Sequence, residues 1–372
     1  MNCKLLLSLI CLFVVSGLNA QECIDRLATP ETKALFKNLY RLSGKKILFG
    51  HQDDPAYGVG WKYETGRSDI RDLTGEFPAV YGFDLGGIER GQDHNLDGVP
   101  FAKTRQFIRE AYSRGGVITL SWHLNNPLSG GTAWDNKPGA VASILPGGEK
   151  NMLYTQWLDR VADFLGELKG SKGESIPVVL RLFHELNGGW FWWGKNQCSP
   201  EEIRRLWQFT IHYLKDQKKI HHLLFAFNTD RFSSAAEWME RYPGDEWIDI
   251  VGFDIYQAND IKENAAFTAF FEKDLRMLDS IAMDHRKIPA LTEFGYNEVP
   301  DSNWWTNIFL PVIEKHNVVY ALAWRNAGAH ENGKAEFYTP YKGQGSSADF
   351  KKMYRSGKII FEKSLQTENM YK

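Results

Sequence analysis

The sequence predicts a (β/α)8 TIM barrel. Three observations carry that expectation: eight short strand-like runs, helix-length amphipathic stretches between most of them, and polar residues gathered where the runs end. With 372 residues, 43% of them apolar, the chain could bury the core of one barrel or of two smaller domains. No Pro/Gly/Ser linker, composition shift or repeat divides it, so residues 21–372 read as a single barrel domain.

In chain order, residues 1–20 read as a signal peptide. Lys4 gives a positive start, Leu5 to Val15 an apolar stretch, and Ala20 a small residue at its end. That stretch is shorter than the ~20 apolar residues a membrane span needs. The expected product is exported and soluble, in the periplasm or outside the cell, starting near Gln21. Cys3 and Cys11 leave with the leader. Cys23 and Cys198 remain, and an oxidising compartment permits a bridge between them without requiring one.

The runs follow as Ile47 to Gly50, Ala79 to Phe83, Gly116 to Trp122, Pro177 to Phe183, Leu223 to Phe227, Ile248 to Ile255, Ala290 to Glu293 and Val318 to Trp324. Their near-continuous apolar character suits a parallel sheet buried on both faces, with right-handed crossovers. Helices are expected from Phe101 to Arg114, Met152 to Leu168, Pro200 to Lys215, Phe267 to Met283 and Trp304 to His316. The third has a sharp start, because Ser199-Pro200-Glu201-Glu202 combines an N-cap hydroxyl, a Pro at the first helical position and a Glu able to reach back. Asn125 to Gly148 is Gly-rich and long for a connection, so it reads as a loop over the functional end.

In such a barrel, function resides at the C-terminal ends of the strands. His51-Gln52, Asp84, His123-Leu124-Asn125-Asn126, His184-Glu185, Asp254 with Tyr256, Glu293 and Trp324-Arg325-Asn326 all fall there. Glu185 and Glu293 end the fourth and seventh runs, and two carboxylates facing one sugar ring are the minimal equipment for glycoside hydrolysis. Taken singly, Glu185 could pair with Arg181, and Glu293 could cap its loop. A formal net charge of -2 without long single-sign runs gives no basic footprint for nucleic acid or anionic membranes. Asp93-His94-Asn95-Leu96-Asp97-Gly98 matches half of a calcium loop, but Thr104 stands where the bidentate Glu belongs, so it reads as a turn with Asx-type bonds. His221-His222 lacks a third ligand at metal spacing and reads as solvated. The run Trp190-Phe191-Trp192-Trp193 sits in a Gly-flanked loop and reads as exposed, not core.

Gly50-His51-Gln52, Trp122-His123-Leu124-Asn125-Asn126-Pro127, Phe183-His184-Glu185-Leu186-Asn187-Gly188 with Trp190, Phe253-Asp254-Ile255-Tyr256, Thr292-Glu293-Phe294-Gly295 and Trp324-Arg325-Asn326 span nearly the whole mature chain. In this order they resemble glycoside hydrolase family 26, which includes β-mannanases, within a clan of retaining (β/α)8 glycosidases. His184 directly before the acid is the family's mark. The resemblance makes Glu185 the general acid/base and Glu293 the nucleophile, with Tyr256 bonded to the nucleophile. His123, His184, Trp190, Trp324 and Arg325 become sugar-binding residues, and Trp134 a further candidate on the leaving-group side. Retention needs carboxyl groups about 5 to 5.5 Å apart, and the proton is assigned to Glu185.

The resemblance therefore implies a retaining β-1,4-mannanase acting on mannan, glucomannan or galactomannan; no metal or organic cofactor is expected, and a monomer is the expected state although the sequence is silent on oligomerisation. The outcome is short manno-oligosaccharides, including the possibility of mannobiose release from chain ends. A β-glucanase or β-xylanase of the same fold is the nearest rival. A non-catalytic glycan-binding protein would lack one Glu, and a phosphosugar enzyme would carry Gly-rich loops after strands seven and eight.

Overall fold

The computed structural model describes residues 21–329 and 333–372, so the expected leader lies outside the described residues. The barrel strands are β1 (Ile47–Gln52), β2 (Val80–Asp84), β3 (Val117–Ser121), β4 (Val178–Arg181), β5 (Leu223–Thr229), β6 (Ile250–Gln257), β7 (Ile288–Tyr296) and β8 (Tyr320–Ala323). Each pairs in parallel with the next, and β1 closes the ring on β8 through Leu48↔Tyr320 to His51↔Ala323. The sheet is a closed parallel barrel. A two-residue strand, Ile359–Ile360, takes the lower edge of β1 beneath the point where β2 joins.

Alternation along the strands sorts their side chains into two buried groups. Leu48, Val80, Val117, Val179, Leu224, Ile250, Ala290 and Leu322 fill the barrel. Phe49, Tyr81, Ile118, Leu180, Phe225, Phe253 and Leu291 pack outward with the surrounding helices. The expected helices are present as Phe101–Ser113, Asn151–Gly166, Pro200–His212 and Asn264–Asp284. Ser199 and Glu202 form both bonds of the predicted capping box. Trp304 to His316 differs from expectation: Trp305–Phe309 is a wide π turn, followed by four α residues, Leu310–Ile313. Pro311 has no N–H to donate there, so the regular ladder breaks.

A helix before β1, Pro30–Leu42, was not among the expected elements. Thr29 caps it, Pro30 opens it, and its Leu35, Phe36 and Leu39 join the cluster that fills the barrel. It thereby closes the N-terminal end, away from the mouth. No helix among the described residues is long and apolar enough to cross a membrane.

Candidate active site

Everything at the mouth is organised around one buried guanidinium. Arg181, the last residue of β4, donates to Asp254 of β6 at 2.9 Å and to Glu293 of β7 at 2.6 Å. Thr292 donates to the other Asp254 oxygen at 2.7 Å. Tyr256, two residues beyond Asp254, donates its phenol to the second oxygen of Glu293. Burial first, and then the charge of Glu293, push the Tyr256 hydroxyl well above its ordinary pKa, so it stays a donor. Gly295 makes this possible, because a Cβ there would lie 2.4 Å from the rings of both Tyr256 and Tyr338. Glu293 is thus held from two sides rather than capping a loop.

Arg181 does not pair with Glu185. Phe183 (φ 42°) and Glu185 (φ 54°) both adopt left-handed backbone, which ends the strand's alternation and turns Glu185 over the mouth. Its Oε2 accepts from Trp190 Nε1 at 2.7 Å. Trp190 folds back over Gly188, where a Cβ would lie 2.3 Å from its ring. Oxygens of Glu185, Asp254 and Glu293 lie within 4.8 Å of one another, close enough for two carboxyls to address one anomeric carbon. Among the described residues this is also the one acidic group compact enough to hold a metal ion, but Arg181 already supplies its positive charge. Burial, followed by the charges of Asp254, Glu293 and Asp230, raises the Glu185 pKa well above the usual range, while the Trp190 bond lowers it. The arrangement can deliver a proton from Glu185.

Across the mouth, His123 donates Nδ1–H to Asp84 at 2.7 Å, since an ionised carboxylate can only accept. Burial works against that ionisation, but His123, Ser121 and the Gly86 N–H outweigh it and bring Asp84 to about 2. His123 Nε2 meets His184 Nε2 at 3.1 Å. His184 lies beneath it, buried against Phe191 and Trp193, and among the described residues bonds no carboxylate. Burial and the nearby Arg181 keep it neutral. Trp134, 50% exposed, stacks on the His123 ring at 5.3 Å, and Trp324 lies 6.1 Å from it. Together these rings present an apolar wall to the cleft.

Two expectations, the exposed aromatic run and the solvated His222, need correction, and the surroundings of several other residues are now defined. Only Trp190 of its run is exposed, at 38%; Phe191, Trp192 and Trp193 are buried, and Trp193 donates to the His184 carbonyl at 2.9 Å. Their indole N–H groups find backbone acceptors, which lets the loop turn its aromatics inward. Cys23 and Cys198 are both free thiols. His222 is buried rather than solvated and donates to the Leu165 carbonyl at 3.2 Å, while His221 pairs with Asp25. Arg325 is engaged by protein groups, bonding Asp97 and, at 3.0 Å, Glu336. The 93–98 segment is a turn in which Asn95 Oδ1 accepts from the N–H groups of Asp97 and Val99.

Sequence reading missed Arg181 as the centre of the site and Asp230, a fourth acid at the end of β5. Their spacing in the chain carries no mark of either role. A cavity of about 1190 Å³ at the opposite end, between the Lys169 to Glu174 turn and the C-terminus, has no buried acid and does not compete as a site.

A closed (β/α)8 barrel whose β4 and β7 ends bring two carboxyls together over a cleft lined with aromatics defines a glycoside hydrolase. The sequence profile of glycosyl hydrolase family 26 matches residues 24–292, and the chain belongs to that family. A mannan endo-1,4-beta-mannosidase from Bifidobacterium adolescentis is 35% identical over 92% of this chain, which spans 36% of that protein's length. Another from Bacillus subtilis is 32% identical, covering 72% of each chain. Among solved structures, a GH26 beta-mannanase from Bacteroides ovatus superposes with a TM-score of 0.88 at 46% identity, covering 92% of this chain and 98% of that one.

Proposed function

We propose that the chain is a retaining β-1,4-mannanase that cleaves mannan, glucomannan or galactomannan by double displacement. The observation that carries this reading is the convergence of Glu185 and Glu293 within 4.8 Å, in a chain whose relatives are named mannanases. Glu293, aimed by Arg181 and Tyr256, attacks the anomeric carbon. Glu185 gives its proton to the departing glycosidic oxygen, then takes one from water as the glycosyl-enzyme ester is hydrolysed. His123, Trp190 and Trp324 bind the reacting sugar, with His184 supporting His123 from below. The enzyme works as a monomer, one barrel domain over residues 21–372, exported by its leader.

Product analysis on undecorated mannan tests the assignment. The wild type should release short manno-oligosaccharides of retained configuration, and Glu185→Ala should lower kcat by about 10² to 10⁴. Release of reducing ends from β-glucan or xylan but not from mannan would overturn the substrate claim.

The Arg325–Asp97 ion pair supports a second reading of product size. It joins the loop after β2 to the segment after β8 across one end of the cleft, which favours short products such as mannobiose. Asp97→Ala should then lengthen the early products; an unchanged ladder would count against a closed end.

A further inference from the structure

β5 ends in an acid that double displacement does not call on. Asp230 follows Thr229 at the mouth, partly exposed. Apart from the Arg231 backbone, no donor among the described residues bonds its carboxylate. Its position is nevertheless fixed. Asn187, two residues past Glu185, accepts the Asp230 N–H at 2.7 Å and donates to the Arg231 carbonyl at 2.9 Å. This one side chain locks the loop after β4 to the loop after β5, so Asp230 and Glu185 keep their relative placement.

Asp230 lies within electrostatic reach of the other acids at the mouth. Asp230 acts on both Glu185 and Asp254, and Glu293 acts on Asp230. Burial raises Asp230 to about 6 against the opposing Arg231, which leaves it largely ionised at neutral pH. A half-buried carboxylate with spare acceptor capacity can take hydrogen bonds from a group bound at the mouth.

Direction follows from the ring. β5 stands opposite β1, and the clasp of Arg325 on Asp97 lies over β1, β2 and β8. A polysaccharide entering from the clasped side and passing Glu185 and Glu293 would leave the mouth over β5. On that path, the sugar that departs with the proton from Glu185 would lie beside Asp230.

We propose that Asp230 is a positioning residue for the leaving-group sugar, its free carboxylate accepting hydrogen bonds from that sugar's hydroxyls and so holding the glycosidic oxygen against Glu185. This rests on the mannanase reading.

Two substrates separate the role from a structural one. Mannopentaose offers a leaving-group sugar, whereas 4-nitrophenyl β-mannobioside expels a phenolate with no sugar hydroxyls. Asp230→Ala should lower kcat/KM on mannopentaose by about 10- to 100-fold, as expected for losing hydrogen bonds to a charged group. Its loss on the aryl glycoside should be about 10-fold smaller, and Asp230→Asn should fall between wild type and Ala on mannopentaose. Equal losses on both substrates, or mannopentaose turnover within about twofold of wild type, would overturn the proposal while leaving the mannanase reading intact. A wild type that cleaves neither mannan nor mannopentaose would instead overturn that reading, and this proposal with it.

Discussion

At the scale of single residues, the site works through unequal neighbours around two similar acids. Glu293 receives a guanidinium and a phenol, while Glu185 receives one indole N–H and faces three other carboxyls. Trp190 is the residue that moderates the proton affinity of Glu185. Its bond lowers a pKa that burial and like charges raise, so its removal pushes that pKa higher still. In the proposed mechanism the first chemical step needs Glu185 protonated, and the alkaline limb of kcat/KM against pH would report that proton. Trp190→Phe should therefore move the alkaline limb to higher pH; a shift to lower pH would show that Trp190 acts chiefly by another route. Both Glu motifs were legible in the sequence because strand-end position and residue type suffice to nominate them. The exchange of partners was not: Arg181 and Glu185 share strand parity, and only the left-handed backbone at Phe183 and Glu185 separates them.

At the scale of elements, local chemistry explains most boundaries. Ser199 accepts the Glu202 N–H at 3.2 Å, and Glu202 accepts the Ser199 N–H at 2.7 Å, so the helix after the Trp190 loop starts where the sequence placed it. Ser199→Ala should cost about 1 kcal/mol in urea unfolding, the ordinary worth of an N-cap. A loss near zero would mean that the packing of Ile203, Leu206 and Trp207 alone sets that start. The aromatic loop was read wrongly because exposure was inferred from flanking glycines. Long-range acceptors decide the matter, since Trp192 reaches the Leu124 carbonyl of the preceding strand's loop. The helix Pro30–Leu42 escaped notice for a similar reason, because its purpose, closing the barrel's lower end, exists only once the ring exists.

At the scale of the whole molecule, buried acids couple stability to pH. Asp53, fully buried, is raised by desolvation to about 7, and Asp249 and Asp274 by the same cause to about 6. An unfolded Asp titrates near ~3.9. Between that value and the folded pKa the native state holds protons that the unfolded chain has released. The stabilisation is complete below the unfolded pKa and is lost as pH rises through about 6 to 7. Asp84 opposes it, contributing stability above ~3.9 that disappears as pH falls through about 2. Asp53→Asn keeps a neutral acceptor for Tyr57 and removes one of these ionisations. Its Tm should fall less than that of the wild type between pH 5 and 8, and parallel declines would argue that Asp53 carries no charge over that range.

From the sequence came the barrel and the placement of Glu185 and Glu293 at the ends of β4 and β7. Strand composition and the order of strand ends are local properties, and eight parallel strands of this kind have few ways to close. Tertiary structure alone decided the partners. Arg181 between Asp254 and Glu293, Asn187 across the loops after β4 and β5, and Arg325 on Asp97 join residues 73 to 228 positions apart in the case of the ion pairs, or 43 in the case of the amide. Direction, reach and burial of a side chain depend on neighbours that only the closed ring supplies.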